Sequence, residues 1–163
     1  MKKTNKNCGD CGYTSGGCGI RIKKNHKLVK AFAALDSAMC FMGYLKADLK
    51  GAKNKKLAQD LTQIQRDMFL LSGHLYGVAR TKKLKEAIDF LDRKISVLLS
   101  RPKPLNCFVI PGKNKTEALA HIVRAQVRLA EIAVVDLGKS QIAVKYLNRM
   151  SKYLFLLAVA TGR

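Results

Sequence analysis

From residue 27 onward, apolar positions recur every three or four residues almost without interruption, as amphipathic helices require. The spacing predicts helices over 27–49, 54–79, 81–100, 115–137 and 140–160. The breaks carry residues that end helices. Gly51 follows the first helix. Arg101-Pro-Lys-Pro104 stops the third, because proline lacks the N–H that continues the ladder. Pro111-Gly112 precedes the fourth, and Gly138 separates it from the fifth. No strand is predicted; Cys107-Phe-Val-Ile110 is short and reads as an extended loop. Helices joined mostly by short links predict an all-α fold, a five-helix antiparallel bundle. Residues 1–26 are polar, basic and glycine-rich, and read as a loop segment ahead of a bundle over 27–163. The length suits one domain overall.

Composition sharpens this picture. Hydrophobic residues make up 48% of the 163-residue chain, enough for a genuine core. The net charge is +20, which attracts nucleic acid, acidic lipid or nucleotide phosphates without choosing among them. Aromatic residues are only 7% and do not interleave with the basic ones, which argues against a stacking platform for single strands. The longest mostly apolar run, Ala31 to Leu45, contains Asp36 and is shorter than a membrane span. Five cysteines and a basic start with no apolar stretch behind it predict a reducing, cytoplasmic setting.

Two stretches carry candidate chemistry. In CGDCGYTSGGCG, residues 8–19, three cysteines and five glycines stand within twelve residues. Cys8, Cys11 and Cys18, with His26 as a fourth ligand, make a partial match to structural zinc spacing. The glycines instead let backbone N–H groups approach phosphate oxygens. In the fourth helix, Glu117, His121, Arg124, Arg128 and Glu131 fall on one side of the wheel. Almost everything else around the wheel is Ala, Val, Leu or Ile, so the stripe meets either water or a polar pocket. Asp36 is the only ionised side chain between Ala31 and Leu45, and burying it unpaired would cost several kcal/mol. An arginine of the fourth helix, from this chain or a neighbour, is a candidate partner. Lys145, Asn148, Arg149 and Lys152 repeat the polar stripe on the fifth helix. Together these features predict a shared anion site. Cys40 and Cys107 read as ordinary packed thiols.

Six segments, in order, carry a family likeness. Cys8-Gly9-Asp10-Cys11-Gly12-Tyr13-Thr14 follows the form T-G-D-x-G-x-T, and Lys24 stands twelve residues before Asp36. Ile64-Gln-Arg-Asp-Met-Phe-Leu-Leu-Ser72 follows I-Q-x-x-L-F-x-L-G, and Phe108-Val-Ile-Pro-Gly-Lys113 follows F-x-x-P-G-G. His121 through Ile132 follows H-x-x-R-x-x-x-R-R-A-E-R, and Tyr146-Leu-Asn-Arg-Met-Ser-Lys152 follows Y-L-N-R-L-S-D. On these segments the chain resembles the PduO-type ATP:cob(I)alamin adenosyltransferases, a family of ferritin-like five-helix bundles.

The resemblance implies a homotrimer with active sites between subunits, and the small-molecule substrates ATP and cob(I)alamin. Cobalt attacks the 5′ carbon of ATP, giving adenosylcobalamin and triphosphate, with Mg2+ carried on the nucleotide. On the matching positions, Gly9, Asp10, Gly12, Thr14 and Ser15 would wrap the triphosphate, and Lys24 would add charge. Arg128 and Asn148 would hold the nucleotide. Glu131 would orient Arg128 or help to bind magnesium. Arg124 would pair with Asp36 of the adjacent subunit. Phe108 would press on the lower face of the corrin and remove its axial ligand. The chain departs from the pattern at Leu129 and Ile132, where the family has arginine, at Lys113 and Lys152, and at Asn7. The Leu129 and Ile132 departures point toward the alternative, a non-catalytic relative that binds ATP or adenosylcobalamin. The net charge alone would fit a third class, a basic helical nucleic-acid binder.

Overall fold

The computed structural model describes residues 9–16, 20–49, 51, 54–79, 81–100 and 109–162. Two short strands, β1 (Tyr13–Ser15) and β2 (Arg21–Lys23), precede α1 (Lys27–Asp48), α2 (Lys55–Leu75), α3 (Thr81–Leu99), α4 (Lys115–Leu137) and α5 (Gln141–Thr161). The helices are those the periodicity predicts, and the fold is an all-α bundle with a small hairpin at its head.

Caps and glycines set the helix ends. Asn114 Oδ1 accepts from Glu117 N at 2.9 Å and opens α4. Ser140 Oγ accepts from Ala143 N at 3.3 Å and opens α5. Each occupies one of the orphan donors of a first turn. Gly138, at φ 69°, ends α4 in the left-handed conformation that glycine adopts without a side-chain clash. α2 stops at Leu75, four residues short of the sequence expectation. There Gly77 turns the chain at φ 83°, and Val78 and Ala79 donate to Gly73 O at 2.9 and 3.1 Å. The apolar Tyr76 and Val78 extend the helical pattern beyond that stop.

Named contacts fix the directions. Lys27 at the start of α1 pairs with Asp136 at the end of α4, at 2.8 Å. Lys115 at the start of α4 pairs with Asp48 at the end of α1, at 2.7 Å. The two helices are therefore antiparallel. Asn114 donates to Thr161 O at 2.7 Å, which sets α5 antiparallel to α4. Lys94 pairs with Asp60 at 2.6 Å, which does the same for α3 and α2. Within the bundle α4 packs against α1 and α5, and α5 also against α3.

The core runs along these seams. Leu35, Met42, Leu61, Met68, Leu91 and Tyr146 are among its fully buried side chains, each aliphatic one worth about 1.5–3 kcal/mol by burial. By length and composition α1 is apolar enough to cross a membrane. Here it is a bundle helix, and its buried row includes Leu28, Leu35 and Met42.

The hairpin corrects the expectation that the chain has no strand. Tyr13, Thr14 and Ser15 pair antiparallel with Lys23, Ile22 and Arg21. Gly16 N donates to Ile20 O at 2.6 Å, and Lys24 N to Gly12 O at 2.8 Å. Strands of three residues leave too little alternation to read from sequence. Ile22 packs partly against the helical core.

Candidate functional site

At the hairpin, the backbone brings the predicted phosphate-binding residues together. Gly12 takes φ 76°, and its carbonyl holds Lys24 N. The Lys24 ammonium folds back over Gly9: a β-carbon on Gly9 would stand 3.5 Å from Lys24 Nζ. A cation thus lies against a glycine backbone, with Thr14 half-buried and Asp10 and Ser15 exposed nearby in the chain.

A second group spans α4 and α5. Asn148 Nδ2 donates to Glu131 Oε1 at 3.3 Å. Arg128 is exposed one turn before the half-buried Glu131. Among the described residues Glu131 makes no ion pair with Arg128; Asn148 is its partner. Beside Asn148, Arg149 Nε pairs with Asp92 Oδ1 at 2.8 Å, a tie to α3 that the sequence pattern did not assign.

The charged stripe of α4 divides along its length. Glu117 and His121 are buried, at 1% and 6% exposure, whereas Arg128 is exposed. The Glu117 carboxylate accepts from Gly112 N at 2.8 Å and Lys113 N at 3.2 Å. His121 Nε2 lies 3.1 Å from Glu117 Oε1, but the approach is misaligned and neither atom gains a hydrogen bond. Burial holds His121 below the ordinary histidine range; Glu117 opposes that shift and Arg124 adds to it. Arg124 is half-buried. Its Cζ lies 5.9 Å from the Phe155 ring centroid, and its Nε has no partner among the described residues.

Asp36 is exposed and forms no ion pair among the described residues. Its neighbour Ser37 donates to Gln126 Oε1 at 3.0 Å, which anchors this part of α1 to α4. Within one chain Asp36 and Arg124 do not pair. Leu129 and Ile132 are 55% and 63% exposed, and Ile122 and Val135 are exposed elsewhere on α4.

His26 caps α1, its Nδ1 accepting from Leu28 N at 3.1 Å. Cys11 and Cys40 are free and exposed, so Cys40 is not a packed thiol. It sits on the outward face of α1, where an apolar run gave no sign of orientation. Cys8, Cys18, Cys107 and Phe108 lie outside the described residues. No group of three or more His, Cys, Asp or Glu side chains suited to a metal occurs among the described residues.

Sequence reasoning passed over Asp67. It is 3% exposed in α2, and Gln63 donates to its Oδ1 at 2.9 Å. Burial raises its pKa, and the Gln63 bond partly offsets that rise. The signal was an acid in step with Ile64, Met68 and Leu71, the buried row of α2.

The chain is thus a five-helix bundle with a lysine-backed glycine hairpin at one place and a polar contact between α4 and α5 at another. The cobalamin adenosyltransferase family model matches residues 5–161, and the chain belongs to that family. It is 34% identical to the corrinoid adenosyltransferase of Bacillus subtilis over 158 residues, covering 92% of this chain and 81% of the relative. It is 32% identical to a corrinoid adenosyltransferase of Citrobacter freundii, covering 92% and 89%. Its fold superposes with TM-score 0.86 and 24% identity on a variant PduO-type ATP:corrinoid adenosyltransferase from Lactobacillus reuteri complexed with cobalamin and ATP. That match covers 98% of this chain and 92% of the other.

Proposed function

We infer that this chain is an ATP:corrinoid adenosyltransferase, moving the 5′-deoxyadenosyl group of ATP to the cobalt of a reduced corrinoid and releasing triphosphate. Family membership supports the reaction class. The observation that carries the reading is the Asn148–Glu131 contact between α5 and α4, with Arg128 exposed one turn away, at positions that match the signature.

In this reading the 1–26 segment and the bundle act on one nucleotide. The backbone of Gly9 and Gly12, with Asp10, Thr14, Ser15 and Lys24, receives the triphosphate. Arg128 and Asn148 hold the nucleotide from the helices, and Glu131 fixes the Asn148 amide by accepting its hydrogen bond. Cobalt forms a bond to C5′ as the C5′–O bond to triphosphate breaks, so the electron pair of that bond leaves on the triphosphate. No general base is required. Charge builds on the departing oxygens, and preorganised cations lower the barrier there. A magnesium ion on the phosphates would neutralise further charge, with Glu131 the neighbouring carboxylate able to reach it. Phe108 would face the corrin.

We also propose a trimer in which Arg124 pairs with Asp36 of a neighbouring chain. Two features support it. Asp36 is exposed on α1 with no ion pair among the described residues, and Ile122, Leu129, Ile132 and Val135 are exposed on α4. On this view Leu129 and Ile132, which replace arginines of the signature, serve the seam between chains. The exposed free thiols Cys11 and Cys40 fit a reducing cytoplasm.

Titration calorimetry with ATP and Mg2+ tests the reading. Heat of binding is expected from wild type and should be largely lost in Arg128→Ala; identical isotherms from the two would refute the assignment.

A further inference from the structure

Asp67 of α2 is a buried acid that the chain leaves half unpaired. It is 3% exposed, and Gln63 donates to its Oδ1 at 2.9 Å. Its Oδ2 is buried with no hydrogen-bond partner among the described residues. Tyr146 is near enough to feel the Asp67 charge, but its hydroxyl donates to Ile64 O at 3.4 Å. A buried carboxylate oxygen without a donor destabilises the fold. An apolar side chain would serve the packing of α2 better.

Asp67 also lines a pocket of about 200 Å³ between α2 and α3. Gln63, Asp67 and Leu70 form one wall, and Lys83, Glu86, Ala87 and Phe90 form the other. Each set lies on one face of its helix, at three- and four-residue spacing. Ala87 is the small residue of the α3 wall, where a longer side chain would fill the groove. Gln63 gives its amide nitrogen to Asp67, which leaves its carbonyl oxygen as an acceptor. Lys83 and Glu86 are exposed. Lys83 lines the same pocket, yet Asp67 Oδ2 stays without a partner among the described residues.

We propose that this groove binds a small organic cation, an ammonium head on an apolar body. The head meets the Asp67 carboxylate and the Gln63 carbonyl. The side-chain torsion that turns an aspartate carboxylate is soft, so either oxygen can face the groove. The body lies along Leu70, Ala87 and the Phe90 ring. An ammonium supplies the donor that Oδ2 lacks, in a charge-assisted bond of the strong kind. Glu86 adds negative charge on the opposite wall, so an anion would meet like charge from both helices. No group of three or more His, Cys, Asp or Glu side chains suited to a metal occurs among the described residues, which favours an organic cation over a metal ion. The groove shares no residue with the proposed nucleotide site and does not depend on that reading.

Titration of the isotope-labelled protein with benzylammonium, followed by NMR, tests the site. A cavity of about 150 Å³ already holds a benzene ring. Saturable shifts are expected at Gln63, Asp67, Ala87 and Phe90, with a Kd of about 1 mM. Benzyl alcohol, of the same size without the charge, should bind at least about tenfold more weakly. Asp67→Asn should weaken benzylammonium binding at least about tenfold, the scale of losing a hydrogen bond to a charged group. Ala87→Met should fill the groove and remove the shifts.

No saturable shift up to about twenty times that Kd, equal binding of benzyl alcohol, equal shifts from ammonium chloride, or wild-type affinity in Asp67→Asn would overturn the proposal. If Ala87→Met does not fold, Asp67→Asn and the benzyl alcohol comparison decide the matter by themselves.

Discussion

Asn148 of α5 donates its side-chain amide to Glu131 of α4 at 3.3 Å, so the two helices that carry the proposed nucleotide-binding residues are joined there. The bond orients an exposed amide that would otherwise rotate freely. Asn148→Ala should therefore raise the KM for ATP while also freeing Glu131. A loss of about tenfold in kcat/KM is expected, the scale of a hydrogen bond to a charged group. Steady-state kinetics on both substrates checks this, and the cobalamin KM should stay close to wild type.

Arg128 is exposed one turn before Glu131, and the proposed function sets it against the charge that develops as triphosphate leaves. Arg128→Ala should lower kcat/KM for ATP by about a hundredfold or more. Arg128→Lys should recover only part of it, because a point charge does not copy a guanidinium fork. Full recovery by lysine would remove the geometric argument.

Phe108→Ala should leave ATP binding intact and cripple reaction with cobalamin. Calorimetry for ATP beside turnover with cobalamin separates the two, and equal damage to both would contradict the assigned role.

Assembly tests the exposed apolar residues on α4. Ile132 and Leu129 are more than half exposed, and the trimer reading covers them. The double variant Leu129→Asp, Ile132→Asp should sediment as a smaller species than a trimeric wild type. A wild-type monomer would contradict the trimer.

Burial of ionisable groups predicts how stability varies with pH. Asp67 has a folded pKa raised above its ordinary value of 3.8, so the folded state binds its proton more tightly. Stability from this group falls as pH rises above 3.8. Asp67→Asn should raise Tm at pH 7, with the gain shrinking as pH approaches 4. His121 has the opposite slope. Its folded pKa lies below 6.5, so stability falls as pH drops below that value until the buried ring is itself protonated. Thermal melts of wild type, Asp67→Asn and His121→Gln across this range distinguish the two contributions.

The helices were legible because each buries an apolar face at three- and four-residue spacing and gives way to a cap, a glycine or, after α3, a proline-bearing stretch of sequence. The positions of Arg128, Glu131 and Asn148 were legible for a related reason: polar side chains stand out on apolar helices. What stayed hidden depends on contacts distant in sequence or on very short elements. The three-residue strands have too few positions to show alternation. Glu117 looked like one more member of a charged stripe, because its burial comes from a turn before α4 and from the end of α5. Arg149 looked like a phosphate ligand, but Asp92 on α3 takes its Nε at 2.8 Å. The proposed pairing of Asp36 with Arg124 would involve a second chain, which periodicity in one chain does not address.

The central claim is tested most directly by mixing the purified protein with ATP, Mg2+ and chemically reduced cobalamin under anaerobic conditions and following the corrin spectrum while assaying the phosphate product. The account predicts the light-sensitive spectrum of a cobalt–carbon bond, together with one intact triphosphate per corrin converted. Formation of ADP and phosphate, or an unchanged corrin spectrum from a protein that still binds ATP, would contradict it.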